Sequence, residues 1–383
     1  FPERSGDDHY VLYTGGTTGM PKGVVWRQED AFFACIGGGD PTRYAGVVER
    51  PEELAERVQD TDAPFTFLPV APLMHAAAQW TSMSWLYAGG KVVLLPGSLD
   101  PEAIWQAVED ERVNLLVVVG DAVARPLLDA WDAAGGADRF DTSSLLAIGS
   151  GGAPLTPSVR RRLVTTFPNS VVSDGFGSSE TGAQGNRKGL SPEEGDGGPP
   201  RFSPLDDNTV VLDDDLSPVP PGSGVVGRVA LRGHIPLGYH KDPEKTAETF
   251  VEAGGHRWVV TGDMATVESD GSITLLGRGS VCINTGGEKV FPEEVEAVLK
   301  AHDTVYDAVV VGVDDDRWGQ TVAAVISAGP GASVDEEALM AHCRAHLAGY
   351  KVPRAVTVVD EVVRSPVGKA DYRWARAVAA AAD

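Results

Sequence analysis

The chain has 383 residues, room for two or three domains at the usual size of about 150 residues. Its 55 acidic and 32 basic residues leave a formal charge of −23, which excludes nucleic acid as a partner, because that needs a broad basic footprint. The 42% hydrophobic and 23% charged residues exclude a disordered chain. An anionic small molecule stays admissible, since amides, one lysine and a metal ion can reverse the field of a single pocket. Residue 1 is Phe and no leader peptide precedes it, so the sequence is expected to be a fragment.

The first element is apolar "YVLY" (10–13), followed by the glycine-rich segment "YTGGTTGMPKGV" (13–24). Gly15, Gly16 and Gly19 let backbone amides approach an anion. Thr14, Thr17 and Thr18 add hydroxyls, and Lys22 adds a charge. This reads as a phosphate cradle between a strand and a helix, although Lys22 lies between Pro21 and Gly23 and the pattern is not a Walker loop. A flexible Gly/Thr linker is the plain alternative. Residues 63–90 carry no charged side chain, but Pro64, Pro69 and Pro72 interrupt them. A membrane span needs about 20 continuous apolar residues, so a buried strand and loop entering a buried helix is expected. No transmembrane segment is expected anywhere.

Residues 91–174 alternate between short β-branched runs at 91–95, 114–119, 144–150 and 170–174 and helical stretches at 101–111, 123–134 and 157–167. That alternation predicts a parallel sheet with crossover helices, whose ligands sit at the carboxyl ends of the strands. Those ends carry "VGDA" (119–122), "GSGGAP" (149–154) and "DGFGSSETG" (174–182). Glu180 follows a strand and a Gly-rich turn, which can aim it into the cleft; a lone loop Glu is more often simply solvated. Phe176 can stack on a planar base or pack in the core.

Residues 186–222 are rich in Gly, Pro and acids and read as loop and hairpin. Residues 225–276 read as a small antiparallel, barrel-like β unit. Within "TGDMATVESDGSITLLGR" (261–278), Asp263 can accept two ribose hydroxyls and Arg278 can donate to sugar or phosphate. Alone, they are a turn aspartate and a surface arginine. After Arg278 the pattern becomes helix, two strands, helix, strand: a compact α+β domain. Lys369, in "RSPVGKADYRW" (364–374), would by itself be an exposed lysine. Cys35, Cys282 and Cys343 are far apart and form no framework, which points to a reducing cytoplasm. His342 and His346 flank Cys343 at helical spacing and read as an ordinary helix face rather than a metal site.

Taken together in this order, these motifs resemble the adenylate-forming superfamily of acyl-CoA synthetases, luciferase-like enzymes and peptide-synthetase adenylation domains. "FGSSETG", "TGD…GR", "INTGGEKVFPEEVE" and "SPVGK" are similar to its later signatures, and the resemblance spans the whole chain. The local flavour is most similar to actinobacterial acyl-CoA ligases for long-chain or steroid side-chain acids.

The resemblance implies an α/β fold: a large N-terminal domain (1–277, with a β-rich subdomain over about 205–277), a hinge (278–284) and a small mobile α+β lid (285–383). It implies ATP, Mg²⁺ and CoA, a carboxylic acid substrate and an acyl-AMP intermediate, and it leaves room for a homodimer. It implies that Thr14 to Lys22 hold the phosphates, with Thr14 and Glu180 at Mg²⁺. Gly151, Gly152 and Ala153, with Asp174, Gly175, Phe176, Gly177, Ser178 and Ser179, would frame adenine, AMP and the acyl carbonyl. Asp263 and Arg278 would hold the ribose, Lys369 would bridge acyl carboxylate and α-phosphate, and His75 would lie near the acyl pocket. Gly286, Gly287 and Glu288 would face the pantetheine channel. Gly15, Ser179, Ser280 and Asn284 depart from the usual residues. Members also carry a long segment ahead of the phosphate loop. Its lack would expose an apolar face, and it keeps open a non-catalytic nucleotide-binding fragment. Adenylation for a carrier protein is the other alternative.

Overall fold

The computed structural model describes residues 3–14, 21–42, 46–58, 64–189, 199–329, 331–365 and 368–381. Strands β1 (His9–Thr14) and β2 (Lys22–Arg27) form an antiparallel hairpin in which Thr14 pairs with Lys22. This corrects the expectation of a helix directly after the glycine loop: β2 comes first and helix α1 (Gln28–Cys35) follows it. The cause is the run Val24, Val25 and Trp26. β-branched and aromatic side chains suit an extended chain, and all three are buried, with Trp26 edge-on to Trp80 at 6.1 Å.

Helix α2 (Pro51–Val58), strand β3 (Thr66–Pro69) and helix α3 (Ala76–Tyr87) come next. The uncharged stretch is thus strand plus helix, and among the described residues no helix is long and apolar enough to cross a membrane. The expected alternation then runs through β4 (Lys91–Val92), α4 (Pro101–Asp110), β5 (Leu115–Val118), α5 (Gly120–Ala134), β6 (Ala147–Gly151), α6 (Pro157–Thr166) and β7 (Val171–Ser178). These strands and β3 pair in parallel in the order β4-β3-β5-β6-β7. Of the expected strand 91–95 only Lys91 and Val92 pair; Leu94 and Leu95 are exposed past this edge. Trp105, Trp131, Phe140 and Phe167 pack with Leu116 and Ile148 into the main core.

Strand β8 (Gly182–Gly189) returns antiparallel on β7, so residues 186–189 belong to the sheet rather than to a loop. After it come β9 (Arg201–Pro204), β10 (Thr209–Leu212), β11 (Gly227–Leu231), β12 (Gly238–Tyr239), α7 (Pro243–Thr249), β13 (Phe250–Ala253), β14 (His256–Val267) and β15 (Ile273–Arg278). The β9–β8 and β9–β15 pairings join the antiparallel unit edge to edge with the parallel sheet, giving twelve strands among the described residues. The two-residue β12 leaves this sheet and adds to β2.

The C-terminal domain holds β16 (Ile283–Thr285), β17 (Glu288–Val290), α8 (Pro292–Lys300), β18 (Val305–Asp315), β19 (Gly319–Ala328), α9 (Glu336–His346), β20 (Ala355–Val359) and α10 (Tyr372–Ala381). Ala308 and Val310 of β18 pack with Leu299 and Leu339, while Val309 and Val311 pack with Ala375 and Ala379. Both faces of the strand are covered, which is why 305–313 reads as a nearly unbroken apolar run. Cys343 is buried in the first of these clusters. His342 Nε2 donates to the Val298 carbonyl at 3.0 Å and His346 Nδ1 to the His342 carbonyl at 2.8 Å.

The two domains meet through buried charge. Lys300 Nζ, at the end of α8, lies 3.2 Å from Asp121 Oδ2 in α5, and both side chains are under one-tenth exposed. Asp121 also accepts from the Thr156 amide at 2.8 Å and the Thr156 hydroxyl at 2.9 Å. Tyr306 donates to Asp129 Oδ2 at 2.9 Å beside this pair. Closer to the turn at Gly279–Val281, Glu293 packs under Gly277 and accepts from the Arg278 amide at 3.4 Å. Its other oxygen is buried without a partner.

These charges set two stability predictions. Removing one member of a buried pair strands the other, at a cost of about 3–5 kcal/mol. Arg125 at 3.8 Å from Asp121 offsets part of that. Lys300→Met should lower the unfolding free energy by about 3 kcal/mol in denaturant titration, with part recovered in the Lys300→Met/Asp121→Asn pair; an unchanged midpoint would contradict it. Burial, reinforced by Glu296, raises the Glu293 carboxyl to about 7 from its ordinary 4.5. Between those values the folded state keeps a proton that the unfolded chain has released. Stability from this group is therefore full below pH 4.5 and lost as pH rises through about 7. Glu293→Gln should lose less melting temperature than the wild type between pH 5 and pH 8; parallel curves would refute this.

Candidate active site

The β1–β2 hairpin places Thr14 and Lys22 on either side of the glycine-rich segment. Thr14 and Lys22 sit opposite each other at its open end. Gly15, Gly16, Thr17, Thr18 and Gly19 lie outside the described residues. The Lys22 ammonium is 5.4 Å from the centre of the Tyr239 ring, a cation–π distance.

Glu180 lies in the turn between β7 and β8. The glycines of "DGFGSS" are part of β7 itself, and the turn comprises Ser179 to Thr181, which corrects the expected strand-then-glycine-turn order. Gly177 permits this close hairpin: a Cβ there would meet the Gly182 carbonyl at 2.0 Å. The turn is held by Thr181 Oγ1 accepting from the Ser178 amide at 2.9 Å and by Ser178 Oγ accepting from the Glu180 amide at 3.2 Å. Trp26 reaches across from β2 and donates to the Ser179 carbonyl at 3.1 Å. The Tyr239 hydroxyl donates to Glu180 Oε1 at 2.9 Å.

Beside this turn Gly151 of β6 pairs with Gly175 of β7, and Gly152 takes the left-handed conformation at φ 85°. With Ala153 they make a wall nearly free of side chains at the carboxyl ends of the parallel strands. Asp174 faces inward: it is buried and paired with Arg187 on β8 at 3.0 Å. Burial raises its carboxyl to about 6 even so. Phe176 is half-buried with its ring 5.0 Å from Phe202, in a slot that only Gly185 leaves open.

Asp263 and Arg278 are directly opposed across the β14–β15 ladder, with Arg278 Nε 3.3 Å from Asp263 Oδ1. Lys369 arrives from the C-terminal domain, on a turn closed by the Ser365 amide to the Lys369 carbonyl at 2.9 Å. Arg364 anchors that turn by a two-pronged bond to Asp307 of β18 at 2.6 and 2.7 Å. Gly368, at φ 72°, passes so close to α5 that a Cβ there would lie 2.6 Å from Ala122 Cβ. Lys369 is half-buried and shares the electrostatic field of Arg278, Glu180 and Asp263. Burial and then Arg278 lower its pKa, against the pull of the two carboxylates. His75, immediately before α3, has its pKa lowered from 6.5 by burial and by the Lys369 charge, which favours the neutral imidazole.

Lys22, Glu180, the Asp263–Arg278 pair, Lys369 and His75 are thus drawn together from both domains. Glu180 and Thr14 offer oxygen donors only, and no group of three or more His, Cys, Asp or Glu among the described residues could hold a metal by itself. Such a set fits a hard cation that takes most of its ligands from phosphate and water. Gly286 and Gly287 form a tight hairpin between β16 and β17 with both φ positive, as this turn requires. The hairpin packs within its own domain, the Gly286 amide donating to the Trp318 carbonyl at 2.8 Å, and Glu288 is exposed. Ser280 is exposed in the single tight turn Gly279–Val281 that links the domains. Sequence reasoning missed Tyr239, Arg364–Asp307 and Asp121–Lys300; each acts through a partner far away in the chain that no local pattern signals.

The model of the AMP-binding enzyme family matches residues 2–240, and that of the AMP-binding enzyme C-terminal domain matches residues 294–369. The chain is 50% identical over 379 residues to a medium/long-chain-fatty-acid–CoA/3-oxocholest-4-en-26-oate–CoA ligase of Mycolicibacterium smegmatis, covering 99% of this chain and 68% of that protein. It is 47% identical to a 3-oxocholest-4-en-26-oate–CoA ligase of Rhodococcus rhodochrous, covering 98% and 67%. Among solved structures, the amide bond synthetase McbA from Marinactinospora thermotolerans superposes with a TM-score of 0.75 at 28% identity, over 96% of this chain and 68% of that one. The fold, the convergent site and these likenesses agree: the chain belongs to the AMP-binding enzyme family.

Proposed function

We propose that this protein is an ATP-dependent acyl-CoA ligase that activates a carboxylic acid as acyl-AMP and passes the acyl group to CoA. The observation that carries the reading is the placement of Lys369 in one field with Glu180, Asp263, Arg278 and His75. The named activities of the relatives support a fatty or steroid side-chain acid as substrate. In the first step a carboxylate oxygen bonds to the α-phosphorus and the bond to pyrophosphate breaks. Negative charge builds on the phosphoryl oxygens, and the Lys369 ammonium offsets it from a fixed position. Asp263 and Arg278 orient the ribose, and the Gly151–Ala153 wall lies against the adenylate. His75 stays neutral, so it adds no charge beside the acyl carboxylate.

Glu180 and Thr14 would hold Mg²⁺ against the phosphates; when bound, the ion neutralises charge on the leaving pyrophosphate. In the second step the CoA thiol attacks the acyl carbonyl and AMP leaves. That step calls for rotation about 278–284, bringing Gly286, Gly287 and Glu288 toward the pantetheine arm. The three free cysteines suit a reducing cytoplasm.

The reading is tested by measuring AMP, pyrophosphate and thioester with a panel of fatty and steroid side-chain acids, with and without CoA. CoA-dependent thioester from one of these acids is expected. Acyl-AMP that never reaches CoA would favour a carrier-protein acceptor, and ATP binding without turnover a non-catalytic protein. Lys369→Ala should abolish acyl-AMP formation and spare thioester formation from supplied acyl-AMP; equal loss of both would remove that role. The pKa of Lys369 lies below the ordinary 10.5, so its charge is lost earlier as pH rises. Acyl-AMP formation should therefore fall on the alkaline side below pH 10.5, and Lys369→Arg should flatten that fall. A limb at the ordinary lysine value would contradict it.

A further inference from the structure

Tyr239 is unexplained by the reaction so far, yet it touches two of its charged groups. Its hydroxyl donates to Glu180 Oε1 at 2.9 Å, and its ring faces the Lys22 ammonium at 5.4 Å. The two contacts are on different parts of one side chain. The residue is also over-determined in position. Gly238 and Tyr239 pair with Val25 and Val24, the Leu237 amide donates to the Val25 carbonyl at 2.8 Å, and the His240 amide to the Gly23 carbonyl at 2.7 Å. The Tyr239 amide donates to Thr246 Oγ1 at 2.9 Å, and its ring meets Phe250 edge-on at 5.8 Å. Gly238, at φ 150°, passes Thr246 with room for no side chain: a Cβ would lie 2.5 Å from Thr246 Cγ2. So the strand that carries Tyr239 is welded to the strand that starts at Lys22.

We propose that Tyr239 is a positioning residue for ATP, fixing the Glu180 carboxylate and the Lys22 ammonium relative to each other at the start of β2. This rests on the acyl-CoA ligase reading for its chemistry but not for its binding step. Without the hydroxyl, Glu180 can swing toward Lys22 and pair with it, which would remove a cation and a carboxylate from the phosphates together. The ring keeps the ammonium close while leaving its N–H donors free, because a π face competes weakly with phosphate oxygens.

The experiment compares wild type, Tyr239→Phe and Tyr239→Leu by equilibrium dialysis of ATP with and without Mg²⁺, beside the two half-reactions assayed separately. Losing a hydrogen bond to a charged group is worth about 10-fold. Tyr239→Phe should weaken Mg²⁺-dependent ATP binding and lower kcat/KM of acyl-AMP formation by about 10-fold. Transfer from supplied acyl-AMP to CoA and the melting temperature should stay near wild type. Tyr239→Leu, which also loses the ring, should weaken ATP binding further, with and without Mg²⁺. In a Glu180→Gln background the Tyr239→Phe effect should shrink, since a neutral amide oxygen accepts a weaker hydrogen bond than a carboxylate and cannot pair with Lys22. ATP binding unchanged in Tyr239→Phe, or both half-reactions lost equally with a lowered melting temperature, would overturn the proposal and leave a packing role. If the wild type binds ATP but makes no acyl-AMP, the ligase reading fails while dialysis still decides the role of Tyr239.

Discussion

In the proposed reaction one ammonium group, that of Lys369, has to cross a domain boundary, enter a half-buried site and remain charged there. The rest of the architecture serves that constraint. Lys369 sits on a turn that Arg364 clamps to Asp307, and the turn presses on α5 at Gly368, where a side chain would collide. The domain carrying the turn is docked by Lys300 on Asp121 and by Tyr306 on Asp129. A buried ion pair contributes little net stability compared with apolar packing, but it is unforgiving of misplacement. It therefore selects one docking geometry more than it strengthens the interface. That geometry is the one that sets Lys369 among Glu180, Asp263 and Arg278.

The large domain solves a different problem. A chain with a formal charge of −23 must receive a polyanionic nucleotide. The proposed site would do so with short-range devices. The β1–β2 hairpin brings Thr14 and Lys22 face to face beside the glycine-rich segment. The paired glycines of β6 and β7 remove side chains from the cleft wall. Arg278 is held against Asp263 on adjacent strands. The acidic residues inside this region are used or neutralised: Glu180 is held by Tyr239 and Asp174 is sealed against Arg187. The same few ångströms that attract phosphate leave the remaining surface acidic.

Much of this was legible in the sequence where one segment contains its own answer. The period switches between 91 and 174 mark strands and helices whose ends carry the glycine-rich signatures. The double-sided apolar run of β18 marks a strand covered on both faces. Asp263 and Arg278 fall in a recognisable spacing, and opposing strands place them in contact. The failures share a cause. A helix was expected after the phosphate loop because such loops often open helices, but Val24, Val25 and Trp26 find partners in β1 and Trp80. Leu94 and Leu95 look like strand residues and lie past the paired edge. Tyr239 sits on a two-residue strand with no periodicity, and Lys300 meets Asp121 across nearly half of the chain. Long-range partners leave no local signature.

On the proposed function, this docking of the C-terminal domain is the acyl-AMP-forming arrangement. The direct measurement fixes it in place. Cysteines at Asp129 and Tyr306, joined by a short bifunctional maleimide in a background without Cys35, Cys282 and Cys343, would tie the domains beside their natural contact. The account predicts that the tied protein forms acyl-AMP and pyrophosphate at close to the untied rate in a single turnover and fails to transfer the acyl group to CoA. A tied protein that cannot form acyl-AMP, or that transfers to CoA as well as before, would contradict it.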